Sequence, residues 1–284
     1  MTGEQAVGRP SEPEPGAGLP AFRWLRLGRP APFVVTVTMA RPPVNALDSE
    51  IRSELITALD SLQDADIARA IVLAAAGRIF SAGADLKEKE SLSGPAARAA
   101  AARLGREAFF AVMSSARPVV AAVGGAALGA GFVLAACCDL IVAAQDAHFG
   151  MPEIDVGQGG GASFLQRILP QQAMRAMMLT GEPVTAAELH RLGGVHRLVA
   201  PGQAEHAAAE IAARIAAKSP VAVRAMRSSF APVAALPTRE GFALEQSYSE
   251  ELSASAAGAA ARRSFLASRS RSTFPPSRPE ETEA

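Results

Sequence analysis

Two segments about fifty residues apart, Ile79 to Glu88 (IFSAGADLKE) and Val123 to Asp139 (VGGAALGAGFVLAACCD), each carry small residues at a turn where backbone N–H groups can face a ligand. Two such groups converging on one carbonyl oxygen make an oxyanion hole, which stabilises the negative charge that develops there. Glu153 follows in FGMPEIDVG, a carboxylate placed after Pro152 in an otherwise apolar stretch and suited to act as a base beside that hole. These residue types, in this order, read as an enzyme that forms an enolate.

In the first segment Asp85 begins a helical pattern whose leading N–H groups have no acceptor within the helix, so Ala84 can offer its N–H to a ligand. In the second, Gly129, Ala130 and Gly131 precede an apolar helix, with Ala130 as the corresponding donor. Taken singly, each turn is also explained by small residues packing a tight bend. Glu153 alone also fits a surface carboxylate that caps a turn. If it is instead walled in by its apolar neighbours, its charged form is disfavoured and its proton affinity moves toward working pH.

Other polar residues carry less. His148, His190, His196 and His206 show no metal-ligand spacing and adjoin no acidic or cysteine partner, so no metal is expected. Gly157 to Ala162 (GQGGGA) has the outline of a dinucleotide fingerprint, but helical sequence follows where a β-α-β unit would close a second strand. Cys137 and Cys138 are sequence neighbours that cannot form an ordinary disulfide, and they read as small buried groups. That usage suits a reducing, cytoplasmic setting.

The elements that must position these residues alternate. Phe33 to Met39 reads as a strand, and Asp48 starts a helix whose apolar positions Ile51, Leu55, Ile56, Leu59 and Leu62 follow helical spacing. Ile71 to Leu73 is the next strand, Ala96 to Ser115 a helix, Pro118 to Val123 a strand, Gly131 to Cys138 a helix and Leu140 to Ala143 a strand. This alternation predicts an α/β architecture built from right-handed crossovers. Beyond Gly161 the chain turns mostly helical: Pro170 fits a first helical position, Thr185 with Glu188 forms a capping-box pattern, and further helices start near Pro201 and Pro220 and run over Glu240 to Leu252.

The chain has 284 residues, 28 basic and 28 acidic, so its charge balance suggests neither a nucleic-acid partner nor attraction to an anionic membrane. Pro118 to Cys138 carries no charge, yet Gly124, Gly125, Gly129 and Gly131 interrupt it, which suits a buried strand, turn and helix better than a membrane span. The Pro- and Glu-bearing stretch from Met1 to about Pro20 reads as a disordered leader, and Ser272 to Ala284 as a disordered tail. Arg262, Arg263, Arg269 and Arg271 surround Phe265 and Leu266; they form either a solvated face or a basic patch beside a phosphate-bearing ligand.

NALD (Asn45 to Asp48), FSAGADLKE, GGAALGAG with the following CCD, and FGMPEIDVG, in this order, resemble the crotonase (enoyl-CoA hydratase/isomerase) superfamily over about Val34 to Val199. The resemblance implies an α/β fold made of a spiral of β-β-α turns with a helical C-terminal trimerisation region. It places a core domain over residues 21–200, a helical region over 201–271, a homotrimer or hexamer, and an acyl-coenzyme A thioester as substrate, with no separate cofactor. It further implies that Ala84 and Ala130 donate their N–H groups to the thioester oxygen. Ala82, Gly83, Ala84, Asp85, Leu86 and Lys87 would contact the coenzyme A portion, and Val133 the substrate. Hydratases of the family carry a glutamate where Val133 stands here and a second at the position of Glu153. Orienting water and shuttling its protons needs polar groups that an isopropyl side chain does not supply. Moving a double bond needs one base. The expected activity is therefore the shift of a 3-enoyl to a 2-enoyl thioester with Glu153 as single base. The alternatives are a hydratase, dehydratase or C–C hydrolase of the same fold, and a non-catalytic acyl-CoA-binding protein.

Overall fold

The computed structural model describes residues 20–64 and 66–269. Most of the expected leader, the expected tail and Arg271 lie outside the described residues. Two strands, β1 (Leu25–Ala31) and β2 (Val34–Met39), form an antiparallel hairpin, and helix α1 (Ser49–Ser61) crosses over to β3 (Ala70–Ala75), which lies parallel to β2. Asp48 caps α1 by accepting the Ile51 N–H at 2.9 Å. Strand β4 (Ile79–Ser81) then leads into α2 (Leu86–Ser91) and α3 (Gly94–Met113). The unit recurs as β5 (Val119–Val123), β6 (Ala126–Leu128) and α4 (Ala130–Ala136), and again as β7 (Leu140–Ala144), β8 (His148–Gly150) and a 3-10 turn, Pro152–Val156. Helices α5 (Ala162–Leu165) and α6 (Gln171–Thr180), strand β9 (Val184–Thr185), α7 (Ala186–Arg191), β10 (Arg197–Val199) and α8 (Ala204–Ala216) complete the first compact unit, which runs to Ala217.

The first strand of each repeat enters a six-stranded sheet, ordered β1-β2-β3-β5-β7-β10, and the second a four-stranded sheet, ordered β4-β6-β8-β9. This is the expected spiral of β-β-α turns. Alternation along the strands decides what each face of the large sheet packs on. Val34, Val72, Val120, Ala122 and Val142 face α8, whose small side chains Ala204, Ala207, Ala208 and Ala212 allow close approach. Val35, Val37, Ile71, Leu73, Val119, Ala121 and Ile141 face the other way, into the core shared with α1 and α4. Burial on both faces is why these strands read as continuous apolar runs.

The uncharged stretch from Pro118 to Cys138 is divided among β5, β6 and α4, and among the described residues no helix is long and apolar enough to cross a membrane. Cys137 and Cys138 are buried, and burial pushes the Cys137 thiol up to about 12, which leaves it unreactive. Two local expectations are corrected. Pro170 precedes α6 as its cap rather than its first helical residue. The capping box at Thr185 is half formed: its hydroxyl accepts the Glu188 N–H at 3.2 Å, but the Glu188 carboxylate pairs with Arg191 at 2.7 and 2.8 Å instead of reaching back.

The second unit begins at Lys218 and comprises α9 (Pro220–Ala234), α10 (Thr238–Ala254) and α11 (Ala256–Arg269). Ser219 caps α9, with Pro220 in the first turn where its missing N–H costs nothing. Gly241 of α10 packs against Val233 of α9. Met226, Phe230 and Phe242 are left exposed. Arg262 donates to the Ser253 carbonyl at 2.9 Å, and both Arg262 and Arg263 are exposed.

Candidate active site

One buried amide ties together the loops that carry the site. Asn45 is 3% exposed, with a positive φ of 50° that asparagine tolerates better than most residues. Its Nδ2 donates to the carbonyls of Ala76 and Ile79, both at 2.9 Å, and its Oδ1 accepts the Arg41 N–H at 2.9 Å. The Asn45 carbonyl accepts the Ser81 hydroxyl at 2.7 Å, and that hydroxyl accepts the Gly83 N–H at 3.2 Å. Arg41 then bridges Asp48 and Asp85, both at 2.8 Å, joining the caps of α1 and α2. Burial pushes the Asp85 carboxyl up, but hydrogen bonds from the Glu88 N–H and Arg41, with the Arg41 charge, outweigh it and hold the group below its ordinary value.

Glycines let the two small-residue segments meet backbone to backbone. A β-carbon on Gly83 would stand 2.8 Å from the Leu128 carbonyl oxygen and 3.3 Å from the Ala130 nitrogen. One on Gly131 would stand 2.6 Å from both Ser81 Cβ and the Ser81 carbonyl oxygen. Ala84 and Ala130 are thereby brought to one cavity, of about 1040 Å³, and neither N–H meets a backbone acceptor among the described residues. Ala84 pairs with Leu47 through its neighbours, the Gly83 carbonyl and the Asp85 N–H, which turns its own N–H away from that bridge. Ala130 opens α4 with an ordinary negative φ; the residue that needs the unusual backbone is Gly129, at φ 51° and ψ −123°.

Glu153 sits in the first turn of the 3-10 segment Pro152–Val156 and lines the same cavity. Its Oε2 is buried and has no hydrogen-bond partner among the described residues. Burial raises its proton affinity, against opposing effects from its own backbone N–H and the Lys89 charge. Val133 also lines the cavity, and a β-carbon on Gly161 would stand 2.8 Å from Val133 Cγ2 and 2.9 Å from Met151 Cε. The wall beside Glu153 is therefore apolar at Val133 and has no room for a side chain at Gly161. A base whose charged form is disfavoured, lining one cavity with two residues whose N–H groups meet no backbone acceptor among the described residues, offers the groups needed to take a proton from carbon beside a carbonyl.

Of the residues singled out from sequence, Ala84, Leu86, Ala130, Val133 and Glu153 line the cavity. Ala82, Gly83, Asp85 and Lys87 do not: Gly83 and Asp85 shape the loop, and the Ala82 and Lys87 side chains are exposed. Asp155 points elsewhere, its carboxylate lying where a β-carbon on Gly181 would go. None of the four histidines lines the cavity, and no metal-holding group occurs among the described residues. Gly157 to Ala162 follows a 3-10 turn and leads into the short α5, with no β-α-β unit around it.

Arg52, Lys89, Arg98 and Arg106 all line the cavity, with the carboxylates Glu88 and Glu90, and none of these was anticipated. Arg52 is 8% exposed, its Nε has no partner, and its guanidinium lies against Gly105 of α3. Lys89 donates to Gln158 Oε1, and Gln158 in turn donates its N–H to the Glu153 carbonyl at 2.8 Å. Burial lowers the proton affinity of Arg52 and of Lys89, and the Arg52 charge lowers Lys89 further. A signal for Arg52 was present: it stands one turn before Leu55 and Ile56 on α1, a cation within the apolar stripe.

Residues 31–272 match the family model described as enoyl-CoA hydratase/isomerase. The chain is 38% identical over 223 residues, covering 78% of itself and 90% of the relative, to the (7aS)-7a-methyl-1,5-dioxo-2,3,5,6,7,7a-hexahydro-1H-indene-carboxyl-CoA hydrolase of Mycobacterium tuberculosis. It is 39% identical over 197 residues, 66% of itself and 74% of the relative, to a probable enoyl-CoA hydratase of Bacillus subtilis. Among solved structures, an enoyl-CoA hydratase of Mycobacterium smegmatis superposes with a TM-score of 0.82 at 30% identity, covering 87% of this chain and 97% of that one.

Proposed function

The chain belongs to the enoyl-CoA hydratase/isomerase family, and on that premise we propose that it takes an acyl-coenzyme A thioester and removes a proton from C2 with Glu153 as its single general base. The N–H groups of Ala84 and Ala130 hold the oxygen of the resulting enolate. The observation that carries this reading is the buried, unpartnered Oε2 of Glu153 in the same cavity as those two N–H groups. Donors fixed in advance stabilise the enolate more than the ground-state carbonyl, and each such donor is worth about 10²- to 10³-fold in rate. Coenzyme A is part of the substrate, held along the loop from Ala82 to Lys87, and Val133 packs against the acyl group.

The reaction we propose is the 3-enoyl to 2-enoyl shift. Glu153 takes a proton from C2, the electrons spread over a dienolate, and the same carboxyl returns the proton to C4. Val133 and Gly161 support this choice, since neither offers a second acid to orient and deprotonate water. A second reading, hydrolysis of a carbon–carbon bond, is favoured by the Mycobacterium tuberculosis relative and by Arg52 and Lys89 on the wall. Water deprotonated by Glu153 would add to a ketone of the acyl group, and the bond broken would leave its electron pair on a carbon conjugated to the thioester, whose oxygen the two N–H groups hold.

Exposed apolar side chains on α9 and α10, Met226, Phe230 and Phe242, support self-association as a homotrimer or hexamer. The two buried cysteines, neighbours in sequence, support a cytoplasmic location. The reaction is tested by offering purified protein 3-enoyl-CoA, 2-enoyl-CoA and a ring-ketone CoA thioester. Accumulation of 2-enoyl-CoA from the first supports the isomerase; rapid hydration of the second contradicts it; release of a new carboxylate from the third supports the hydrolase.

A further inference from the structure

We propose that Arg52 and Lys89 form a carboxylate-binding subsite in the acyl part of the cavity, so that the preferred substrate is a thioester whose acyl group carries a second, free acid group. The inference rests on reading the cavity as an acyl-CoA site and names the substrate class within it.

Arg52 lines the cavity while being 8% exposed, and none of its nitrogens makes an ion pair among the described residues. Its Nε is buried without a partner. A guanidinium withdrawn from water costs several kcal/mol unless an anion and hydrogen bonds compensate. Glu88, Asp48 and Asp85 act on Arg52 only through their more distant charges, and each is already engaged: Glu88 accepts the Ser49 N–H at 2.9 Å, and the other two pair with Arg41. The guanidinium packs against Gly105 on α3, where a β-carbon would lie 3.6 Å from Arg52 Cζ.

Lys89 adds a second positive charge on the same wall and likewise has no ion pair among the described residues. Gln158 holds its ammonium, using one of three donors. The Arg52 and Lys89 charges repel each other, and a pocket shaped for a plain hydrocarbon chain gains nothing from either. A ligand carboxylate relieves both deficits: it neutralises the pair and accepts from the fork of the guanidinium and from the ammonium. Glu153 feels the Lys89 charge but forms no ion pair with either cation, and its buried Oε2 has no hydrogen-bond partner among the described residues.

The test measures binding of succinyl-, glutaryl- and adipoyl-CoA against butanoyl-, pentanoyl- and hexanoyl-CoA and free coenzyme A, by calorimetry on the full chain. In the wild type at least one acid-bearing thioester binds about ten-fold or more tightly than its uncharged counterpart. In Lys89→Met, an exposed position that leaves folding intact, that preference falls by about ten-fold, and in Arg52→Met it disappears. Equal binding of the paired thioesters overturns the subsite while leaving the acyl-CoA reading standing. Equal weakening of every ligand, free coenzyme A included, places the cations on the coenzyme's phosphates and also overturns it. Failure of the wild type to bind any thioester removes the acyl-CoA reading itself.

Discussion

Gly129 and Glu153 are fitted to each other: a β-carbon on Gly129 would stand 2.3 Å from Glu153 Oε1 and 3.0 Å from its carboxyl carbon. The carboxylate occupies the volume a side chain would need at the residue preceding Ala130. Gly129→Ala should therefore push Glu153 out of position and force alanine into a backbone region reserved for glycine. A misplacement of about 1 Å costs on the order of 10²-fold in kcat. The backbone strain costs about 1–3 kcal/mol of stability. Steady-state kinetics and a denaturant midpoint on the one variant check both.

Glu153→Gln removes the base and the buried charge together. Turnover should fall by about 10²- to 10⁴-fold with binding of the thioester largely kept. Stability should move the other way. The folded-state proton affinity of Glu153 is raised above its ordinary value of 4.5, so the wild type's contribution from this group is fully present below that value and is lost as pH rises through the folded one. The glutamine variant, which never ionises, should thus melt higher than the wild type at neutral pH and alike in acid. Thermal melts at both pH values read this directly.

The same raised value sets an acid limb on activity. Proton removal needs the carboxylate, so kcat should rise with pH through a value above 4.5. Removing the nearby positive charge in Lys89→Met should move that limb to higher pH, because the Lys89 charge favours the ionised form of Glu153. A limb unmoved or shifted to lower pH would detach Lys89 from the base.

Val133→Glu adds a second carboxylate to the cavity. Like-charge repulsion should raise Glu153 further and carry the acid limb upward. Hydration of a 2-enoyl-CoA, assayed by loss of its conjugated absorbance, should be larger in this variant than in the wild type.

Asn45→Ala should cost about 2–4 kcal/mol, since it strips partners from the Arg41 N–H and from the Ala76 and Ile79 carbonyls at once. A denaturant series with an unchanged slope isolates that loss from any change in the unfolded state.

Motif and spacing made much of the large sheet legible, because β2, β3, β5 and β7 are dense apolar runs separated by helical spacing. The four-stranded sheet was not. Its strands β4, β6 and β8 have three residues each and lie within segments whose glycines and alanines read as turns. Their pairing depends on partners far along the chain. Ala84, Ala130 and Glu153, picked out from small residues near a lone carboxylate, line one cavity. Arg52 and Lys89 left no sequence trace of comparable strength: what marks them is convergence on one cavity from α1 and α2, which only the packed chain brings about. The α8 face was quiet for another reason, as its buried alanines carry little apolar area apiece.

Exchange of the C2 hydrogens of a bound 3-enoyl-CoA with D₂O, followed by mass spectrometry, bears most directly on the proton transfer itself. The wild type should incorporate deuterium at C2, and Glu153→Gln should bind the thioester without incorporating it. Exchange that persists in Glu153→Gln, or a wild type that binds the thioester and exchanges nothing, would contradict the assignment of Glu153 as the base.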